Sequence, residues 1–157
     1  MTIYLVRHAH AGERYDSNEE DRHRPLSPKG QAQALGLLER YGDRPITRVL
    51  SSPSLRCQQT VAPVARHRGL QVQICDPLDE GSPADEGITL LRSLAGQEIM
   101  LCSHGDVIPA IMRSLITSGL EIEGGAAASK AGTFEIETDG TDLVSATYVP
   151  PPVLARD

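Results

Sequence analysis

The segment that most constrains the fold is Ile3-Tyr4-Leu5-Val6, which is apolar at every position. A strand with one face in water alternates polar and apolar residues, whereas a strand in a parallel sheet is covered on both faces and is apolar nearly throughout. Residues 2–6 are therefore predicted to form a strand of a parallel sheet. A sheet of that kind needs other elements packed against both of its faces.

The rest of the chain alternates between patterns typical of strands and of helices. Ser27-Pro28 and Ser52-Pro53 each combine a helix-capping residue with a proline at the first helical position, so a helix is expected to begin at each. Pro63 is expected to kink or split the second helix. Further helices are predicted at 88–95 and 106–118, strands at 47–51, 71–75 and 98–102, and loops at 9–26 and 76–86. This alternation predicts a three-layer α/β/α sandwich with a mostly parallel sheet.

The C-terminal part of the chain has a different pattern. Two alternating segments, 133–138 and 143–149, are separated by a short turn and predict an antiparallel hairpin. The preceding segment, 123–132, is rich in Gly, Ala and Ser and is expected to be mobile. We interpret residues 1–149 as a single domain, since no linker divides them, and residues 150–157 as a loosely ordered tail.

Composition argues against several classes of function. A net charge of −6 is unfavourable for broad binding to nucleic-acid polymers, which depends on neutralising backbone phosphates. No apolar run reaches the roughly 20 residues needed to span a bilayer, and the first residues lack a signal-peptide pattern. The three cysteines are odd in number and widely spaced, which favours reduced thiols. These features predict a cytoplasmic protein with no nucleic-acid or membrane partner.

Polar side chains follow three of the predicted strands. Arg7 and His8 follow the first strand, Arg56 lies shortly after the second, and His104 follows the fourth. In open α/β sheets, ligands bind beyond the carboxyl ends of the strands, and parallel strands end at the same edge. These four side chains are therefore expected to share one pocket.

The four side chains suit the chemistry of phosphoryl transfer. The guanidinium groups of Arg7 and Arg56 are planar, permanently charged donors that match phosphate oxygens. A neutral imidazole can attack phosphorus and carry the phosphoryl group covalently, and a protonated one can stabilise the charge on its oxygens. Because side chains supply the positive charge, this arrangement requires no metal cofactor.

The leaving group of such a reaction needs a proton, and the loop after the third strand carries carboxyl groups. Glu80 is the first candidate for the general acid, with Asp79 and Glu86 as alternatives, and it is expected to act next as the base when water hydrolyses the intermediate. A carboxyl group in that role needs a raised pKa to be protonated near neutral pH.

Two alternatives remain open on the residues alone. His8 and His10 are separated by one residue, so on an extended segment they could hold a metal together with Asp106 or Asp76. Such a metal would lie among arginines, which is electrostatically unfavourable. The second alternative is a phosphate-binding or interaction module with little turnover. His10 is otherwise interpreted as a residue of the pocket rim that contacts substrate.

Four motifs, in order along the chain, resemble those of the histidine phosphatase superfamily, also called phosphoglycerate mutase-like. They are Arg7-His8, Asp21-x-x-Arg24-Pro25-Leu26-Ser27-x-x-Gly30, Ser51-Ser52-Pro53-x-x-Arg56-x-x-Gln59-Thr60, and Ser103-His104-Gly105. The short form without large lid insertions is most similar, as in the SixA-type phosphohistidine phosphatases. The histidine phosphatase domain attached to some mycobacterial Nudix hydrolases is also similar.

The resemblance implies specific roles for these residues. His8 would be the phosphorylated nucleophile, Arg7, Arg56 and His104 would bind the phosphoryl group, and no metal would be used. Ala9 stands where the family usually has glycine. The implied activity is a phosphatase acting on a phosphohistidine protein, a small phosphate ester or a nucleotide. A mutase is less favoured because the chain lacks lid material.

Overall fold

The structure is a computed structural model that describes residues 1–154. Within these residues, seven strands form one sheet and five α-helices cover it. The strands are β1 (Thr2–Arg7), β2 (Arg48–Ser51), β3 (Val72–Ile74), β4 (Ile99–Ser103), β5 (Glu121–Glu123), β6 (Thr133–Thr138) and β7 (Leu143–Val149). The helices are α1 (Asn18–Arg22), α2 (Pro28–Tyr41), α3 (Leu55–His67), α4 (Ala84–Ser93) and α5 (Val107–Thr117).

The sheet has the strand order β3-β2-β4-β1-β6-β7-β5. Strands β3, β2, β4 and β1 are mutually parallel, while β6 pairs antiparallel with both β1 and β7. In this register Arg7 is opposite Ser103, and Ser51 is opposite Cys102. Strands β1, β2 and β4 therefore end at one level, and the predicted sandwich with its C-terminal hairpin is confirmed.

Side chains of β1 alternate between two apolar clusters, one on each face of the sheet. Ile3 and Leu5 pack in the cluster that contains residues of α4 and α5. Tyr4 and Val6 pack in the cluster that contains residues of α2 and α3. Both faces are thus covered, which explains why this strand is apolar at every position.

The helix boundaries differ from the prediction in three places. Helix α1 lies inside the predicted loop 9–26, and its first turn is capped by the Ser17 hydroxyl, which accepts from the backbone N–H of Glu20. Helix α3 begins at Leu55 and is not split by Pro63, since side chains on both sides of the proline are fully buried against the sheet. Helix α4 begins at Ala84, before the predicted start, because Pro83 at its N-cap and two acidic residues favour a helix start there.

The C-terminal region contains contacts that the sequence analysis did not predict. The short strand β5 pairs with β7 and ends at Glu123, the first residue of the segment that was expected to be mobile. Pro150 accepts a hydrogen bond from Arg40 at 2.8 Å, and Pro152 packs against Gly36, so this part of the predicted loose tail lies on α2. The last three residues of the tail, 155–157, lie outside the described residues. Among residues 1–154, no helix is long and apolar enough to cross a membrane.

Candidate active site

The four side chains predicted to share a pocket lie together at the carboxyl ends of β1, β2 and β4. The ring centroids of His8 and His104 are 5.4 Å apart. The Nη2 atom of Arg56 is 3.4 Å from Nδ1 of His104. The guanidinium group of Arg7 lies against Gly105, where a Cβ atom would approach it within 2.6 Å. Glycine at this position is therefore needed for the arginine to lie beside His104.

His8 is buried and its ring has a defined orientation. Its Nδ1 atom is 2.8 Å from the carbonyl oxygen of Ala9. Because a carbonyl can only accept, Nδ1 carries the hydrogen, and in the neutral ring the lone pair is on Nε2. Burial lowers the pKa of His8 to about 3, and the neighbouring cationic side chains add to the effect. His8 is thus a neutral imidazole at neutral pH, with Nε2 available as a nucleophile.

The ring of His8 should therefore not titrate in the physiological range. We expect its nitrogen resonances to show the Nδ1–H tautomer and to stay unchanged between pH 8 and pH 5, because a pKa of about 3 lies below this interval. Two-dimensional ¹H–¹⁵N spectra of the imidazoles, with the His8→Ala variant for assignment, measure this. A titration with its midpoint between pH 5 and pH 7 would contradict the neutral state.

Arg56 is almost completely buried and connects several groups of the pocket. Its Nη1 donates to the backbone carbonyl of Asp21 at 2.9 Å and lies 3.3 Å from the Asp21 carboxylate. Its Nη2 is 2.6 Å from the Glu80 carboxylate. Its Nε has no hydrogen-bond partner among the described residues, and the same holds for Nε of Arg7. Each of these arginines therefore carries one buried N–H donor that is unsatisfied by the described residues, which is unfavourable unless a bound group accepts from it.

Asp21 holds this arrangement together, and the sequence interpretation assigned it no role. Its carboxylate is buried, accepts from Nε of Arg24 at 2.8 Å and accepts from the backbone N–H of Tyr15 at 2.9 Å. Burial opposes its charge, but these hydrogen bonds and the nearby arginines outweigh it and lower the pKa of Asp21. The motif that contains Asp21 and Arg24 was the available signal. The motif did not indicate that α1 places the Asp21 carboxylate next to Arg56.

Glu80 lies in the pocket as predicted, but in the ionised state. One carboxylate oxygen contacts Arg56 and the other is 2.7 Å from Nη2 of Arg14. Burial alone would raise the pKa of Glu80, but the hydrogen bond from Arg14 and the nearby positive charges outweigh it, so the pKa is lowered. The raised pKa that a general acid requires is therefore not found in this state. Arg14 was not among the predicted site residues.

The two alternative carboxyl groups lie in different places. Asp79 is next to Glu80 and pairs with Arg22 at 3.3 Å. Its carboxylate also accepts from the backbone N–H of Glu80, so it orders the loop. Glu86 is exposed in the first turn of α4 and makes no hydrogen bond or ion pair to any pocket residue within the described chain. Of the three candidates for the general acid, Glu80 is thus the one that contacts Arg56 and His104 within the described chain.

His104 is buried with a partner on each side of its ring. Nε2 is 2.8 Å from the hydroxyl of Ser52, the second serine of the Ser51-Ser52-Pro53 motif. Nδ1 is 3.6 Å from the Glu80 carboxylate. The ring is therefore held between Ser52 on one side and Arg56 and Glu80 on the other.

The structure does not bring His8 and His10 together as metal ligands. Nδ1 of His10 is 2.6 Å from the hydroxyl of Ser27 at the start of α2, and the backbone of His10 is also hydrogen-bonded to that serine. The described residues contain no group of three or more His, Cys, Asp or Glu side chains arranged to hold a metal ion. His23 and His67 are exposed.

Ala9 causes no strain where the related motif has glycine. Its φ angle is negative, and its side chain is buried in the apolar cluster with α2 and α3. Its backbone N–H donates to the hydroxyl of Thr60 at 2.9 Å, and its carbonyl holds the His8 ring. The methyl group therefore adds to the core.

Comparison with known proteins places this site in a family. Residues 3–89 match the family model of the histidine phosphatase superfamily (branch 1), which is more than half of the chain. The chain belongs to the histidine phosphatase superfamily. The matched range contains His8, Arg56 and Glu80, while His104 lies beyond it.

Individual relatives of this histidine phosphatase chain agree with that placement. The 8-oxo-(d)GTP phosphatase of Mycolicibacterium smegmatis is 30% identical over 157 residues, covering 96% of the chain and 48% of that protein. The chain thus spans about half the length of this relative. The protein histidine phosphatase SixA complexed with tungstate has the same fold, with a TM-score of 0.68 at 20% identity, and the match covers 97% of this chain and 96% of SixA. Mycobacterial glucosyl-3-phosphoglycerate phosphatase Rv2419c complexed with VO3 has a TM-score of 0.69 at 16% identity, covering 99% of both chains.

Proposed function

We propose that this protein is a metal-independent phosphatase that transfers a phosphoryl group from its substrate to His8 and then to water. The observation that carries the proposal is the state of His8, whose Nδ1 is bound to a carbonyl while its neutral Nε2 is free. A nucleophile of this kind needs positive charge around the phosphoryl oxygens. Arg7 and Arg56 each offer a buried Nε donor with no partner in the described chain.

The first step is attack by Nε2 of His8 on phosphorus. The new bond is N–P, and the P–O or P–N bond to the leaving group breaks with its electron pair on the leaving atom. Arg7, Arg56 and His104 hold the three equatorial oxygens, whose charge is shared among them in the transition state. His10, at the rim, contacts the part of the substrate beyond the phosphoryl group.

The second step is hydrolysis of the phosphohistidine, and here the ionised Glu80 has a role. A water that attacks phosphorus loses a proton, and a carboxylate with a low pKa can accept it transiently in the transition state. Glu80 is 32% exposed, so water can reach its carboxylate. We therefore assign Glu80 as the general base of this step. We do not assign it as the general acid of the first step, because that role requires a carboxyl group that is already protonated before the substrate binds.

Replacing Glu80 by glutamine should slow the second step more than the first. The amide keeps the shape of the side chain but cannot accept the proton, so we expect dephosphorylation to fall about 10²-fold. The acid-labile, base-stable phosphoenzyme should then accumulate, as measured by quenching during turnover. Glu86→Gln, which removes one exposed carboxylate from α4, is the matched control. A phosphoenzyme level equal to that of the wild type would contradict the role of Glu80.

The proposed activity itself is tested with p-nitrophenyl phosphate in the presence of EDTA. We expect turnover to change by less than about twofold on chelation, because no step uses a metal as a Lewis acid. Loss of activity on chelation would favour a metal-dependent hydrolase. Binding of inorganic phosphate without turnover of p-nitrophenyl phosphate, phosphohistidine peptide or nucleotides would favour a phosphate-binding module.

A further inference from the structure

The chain has two lysines, Lys29 and Lys130, and each lies within two residues of a backbone N–H that is hydrogen-bonded to the segment 7–10: Ser27 N–H to the carbonyl of His10 at 3.0 Å, and Ala131 N–H to the carbonyl of Arg7 at 3.0 Å. Lys29 lies in the first turn of α2, next to Ser27, whose hydroxyl contacts His10. Lys130 lies in the segment before β6. Partial burial lowers the pKa of Lys130, and the positive charges of Arg7, Arg24 and Lys29 lower it further. The backbone hydrogen bonds of Ser27 and Ala131 thus place both lysine-bearing segments next to the segment that contains the nucleophile.

The backbone around Lys130 is tied directly to the nucleophile segment. The N–H of Ala131 is 3.0 Å from the carbonyl oxygen of Arg7 and 3.3 Å from that of His8. The N–H of Arg7 donates in turn to the carbonyl of Gly132 at 3.0 Å. Ala131 has a φ of +67°, a conformation that is unfavourable for a residue with a side chain. The contacts to β1 hold this strained conformation and keep the backbone that follows Lys130 against the nucleophile segment.

Some cationic side chains around the pocket are paired with carboxylates, and others are not. Arg14, Arg22, Arg24 and Arg56 each form an ion pair with Asp21, Asp79 or Glu80. Arg7, Lys29 and Lys130 form no ion pair within residues 1–154. Neighbouring cations repel one another, so this arrangement in a chain of net charge −6 favours an anionic ligand.

Independently of the lysines, the ionised state of Glu80 limits which leaving groups the site can expel. Both oxygens of its carboxylate are held by arginines, at 2.6 Å and 2.7 Å, so no protonated carboxyl group is ready to donate. An alkoxide leaving group is strongly basic and needs that proton. A phosphate leaving group is weakly basic and can depart as an anion when positive charge stabilises it.

We propose that Lys29 and Lys130 form a second anion-binding subsite, and that the substrate is a phosphoanhydride such as a nucleoside diphosphate. The terminal phosphoryl group binds to Arg7, Arg56 and His104, and the next phosphate along the substrate binds to the two lysines. This inference rests on the proposed function, and it selects one substrate class among those that the site accepts.

The reaction balances without a further reactant. Nε2 of His8 attacks the terminal phosphorus, and the bond from that phosphorus to the bridging oxygen breaks with its electron pair on the oxygen. The monophosphate leaves as an anion held by the lysines. Water then attacks the phosphohistidine, the P–N bond breaks, and inorganic phosphate and one proton are released.

Kinetics with two substrates test the subsite. We expect the Lys29→Gln/Lys130→Gln variant to lose at least about tenfold in kcat/KM for ADP and less than about threefold for p-nitrophenyl phosphate, which has no second phosphate. Arg68→Gln/Arg113→Gln removes two exposed positive charges elsewhere and is the matched control for net charge. Equal losses on both substrates, or wild-type preference for phosphohistidine peptide over ADP, would overturn the proposal.

Binding to the His8→Ala variant separates this proposal from the proposed function. Calorimetry should show inorganic pyrophosphate binding at least about tenfold more tightly than orthophosphate, and the two lysine substitutions should remove that difference. If pyrophosphate binds no more tightly than orthophosphate while the wild type hydrolyses p-nitrophenyl phosphate, the subsite is wrong and the phosphatase stands. If the lysine-dependent difference is present but no substrate is hydrolysed, the subsite stands and the phosphatase is wrong.

Discussion

Replacing His8 by alanine is expected to lower kcat for p-nitrophenyl phosphate by at least about 10⁴-fold, because the covalent route is lost entirely. The remaining pocket still binds phosphate through Arg7, Arg56 and His104, so the loss should appear in kcat more than in KM. Phosphoenzyme trapping gives the direct measurement: the wild type should form an acid-labile phosphate adduct, and the variant should form none.

An exposed histidine outside the pocket provides the control for the His8→Ala experiment. His67→Ala removes an exposed histidine on α3 and should leave both turnover and the adduct unchanged. Circular dichroism shows whether the His8→Ala variant is folded. If an adduct persisted in folded His8→Ala, for example on His10, the nucleophile would be wrongly assigned.

Replacing Arg56 by alanine should reduce both stability and activity, since one buried guanidinium group contacts Asp21, Glu80 and His104. Removal leaves carboxylates without a partner, although Arg24 still pairs with Asp21 and Arg14 still pairs with Glu80. We therefore expect a loss of about 3 kcal/mol in the free energy of unfolding, at the low end for a broken buried ion pair. We also expect kcat/KM to fall by about 10³-fold, as for other arginines that stabilise phosphoryl transfer. Urea unfolding and steady-state kinetics measure the two effects.

Arg56→Lys keeps the experiment informative if the alanine variant does not fold. Lysine keeps the positive charge but not the planar pair of donors, so it cannot contact all three partners. It should retain more stability than alanine while activity remains strongly reduced. Arg66→Ala, at an exposed position of the same helix, is the matched control. Wild-type activity in either Arg56 variant would show that the arginine does not bind the phosphoryl group.

The order of the strands and helices was predictable because it depends on local patterns. The apolar run at the start of the chain indicated a strand covered on both faces, and the three motifs that follow β1, β2 and β4 indicated a common pocket. Short polar elements were harder to predict. Helix α1 has a single buried residue, Asp21, so it shows no apolar periodicity, and β5 has only three residues.

Contacts that span many residues explain what sequence reasoning missed in the site. Arg14 is 66 residues from Glu80 in the chain, yet their contact helps to keep that carboxylate ionised. Residue type alone suggested a general acid, whereas the protonation state depends on the neighbours. The same is true of the two lysines, which are far apart in sequence but lie in segments that are both hydrogen-bonded to residues 7–10.

The sequence by itself determined the sandwich fold, the edge of the sheet where the site lies, and the arginine and histidine side chains that meet there. These features follow from hydrophobic patterning and from motifs at strand ends, both of which are local. Only the tertiary structure decided which nitrogen of His8 is hydrogen-bonded, that Arg14 and Arg56 both contact Glu80, and that the segments carrying Lys29 and Lys130 meet residues 7–10. Burial, hydrogen bonding and charge balance depend on groups distant in sequence, so the chemistry of the site follows from the folded arrangement.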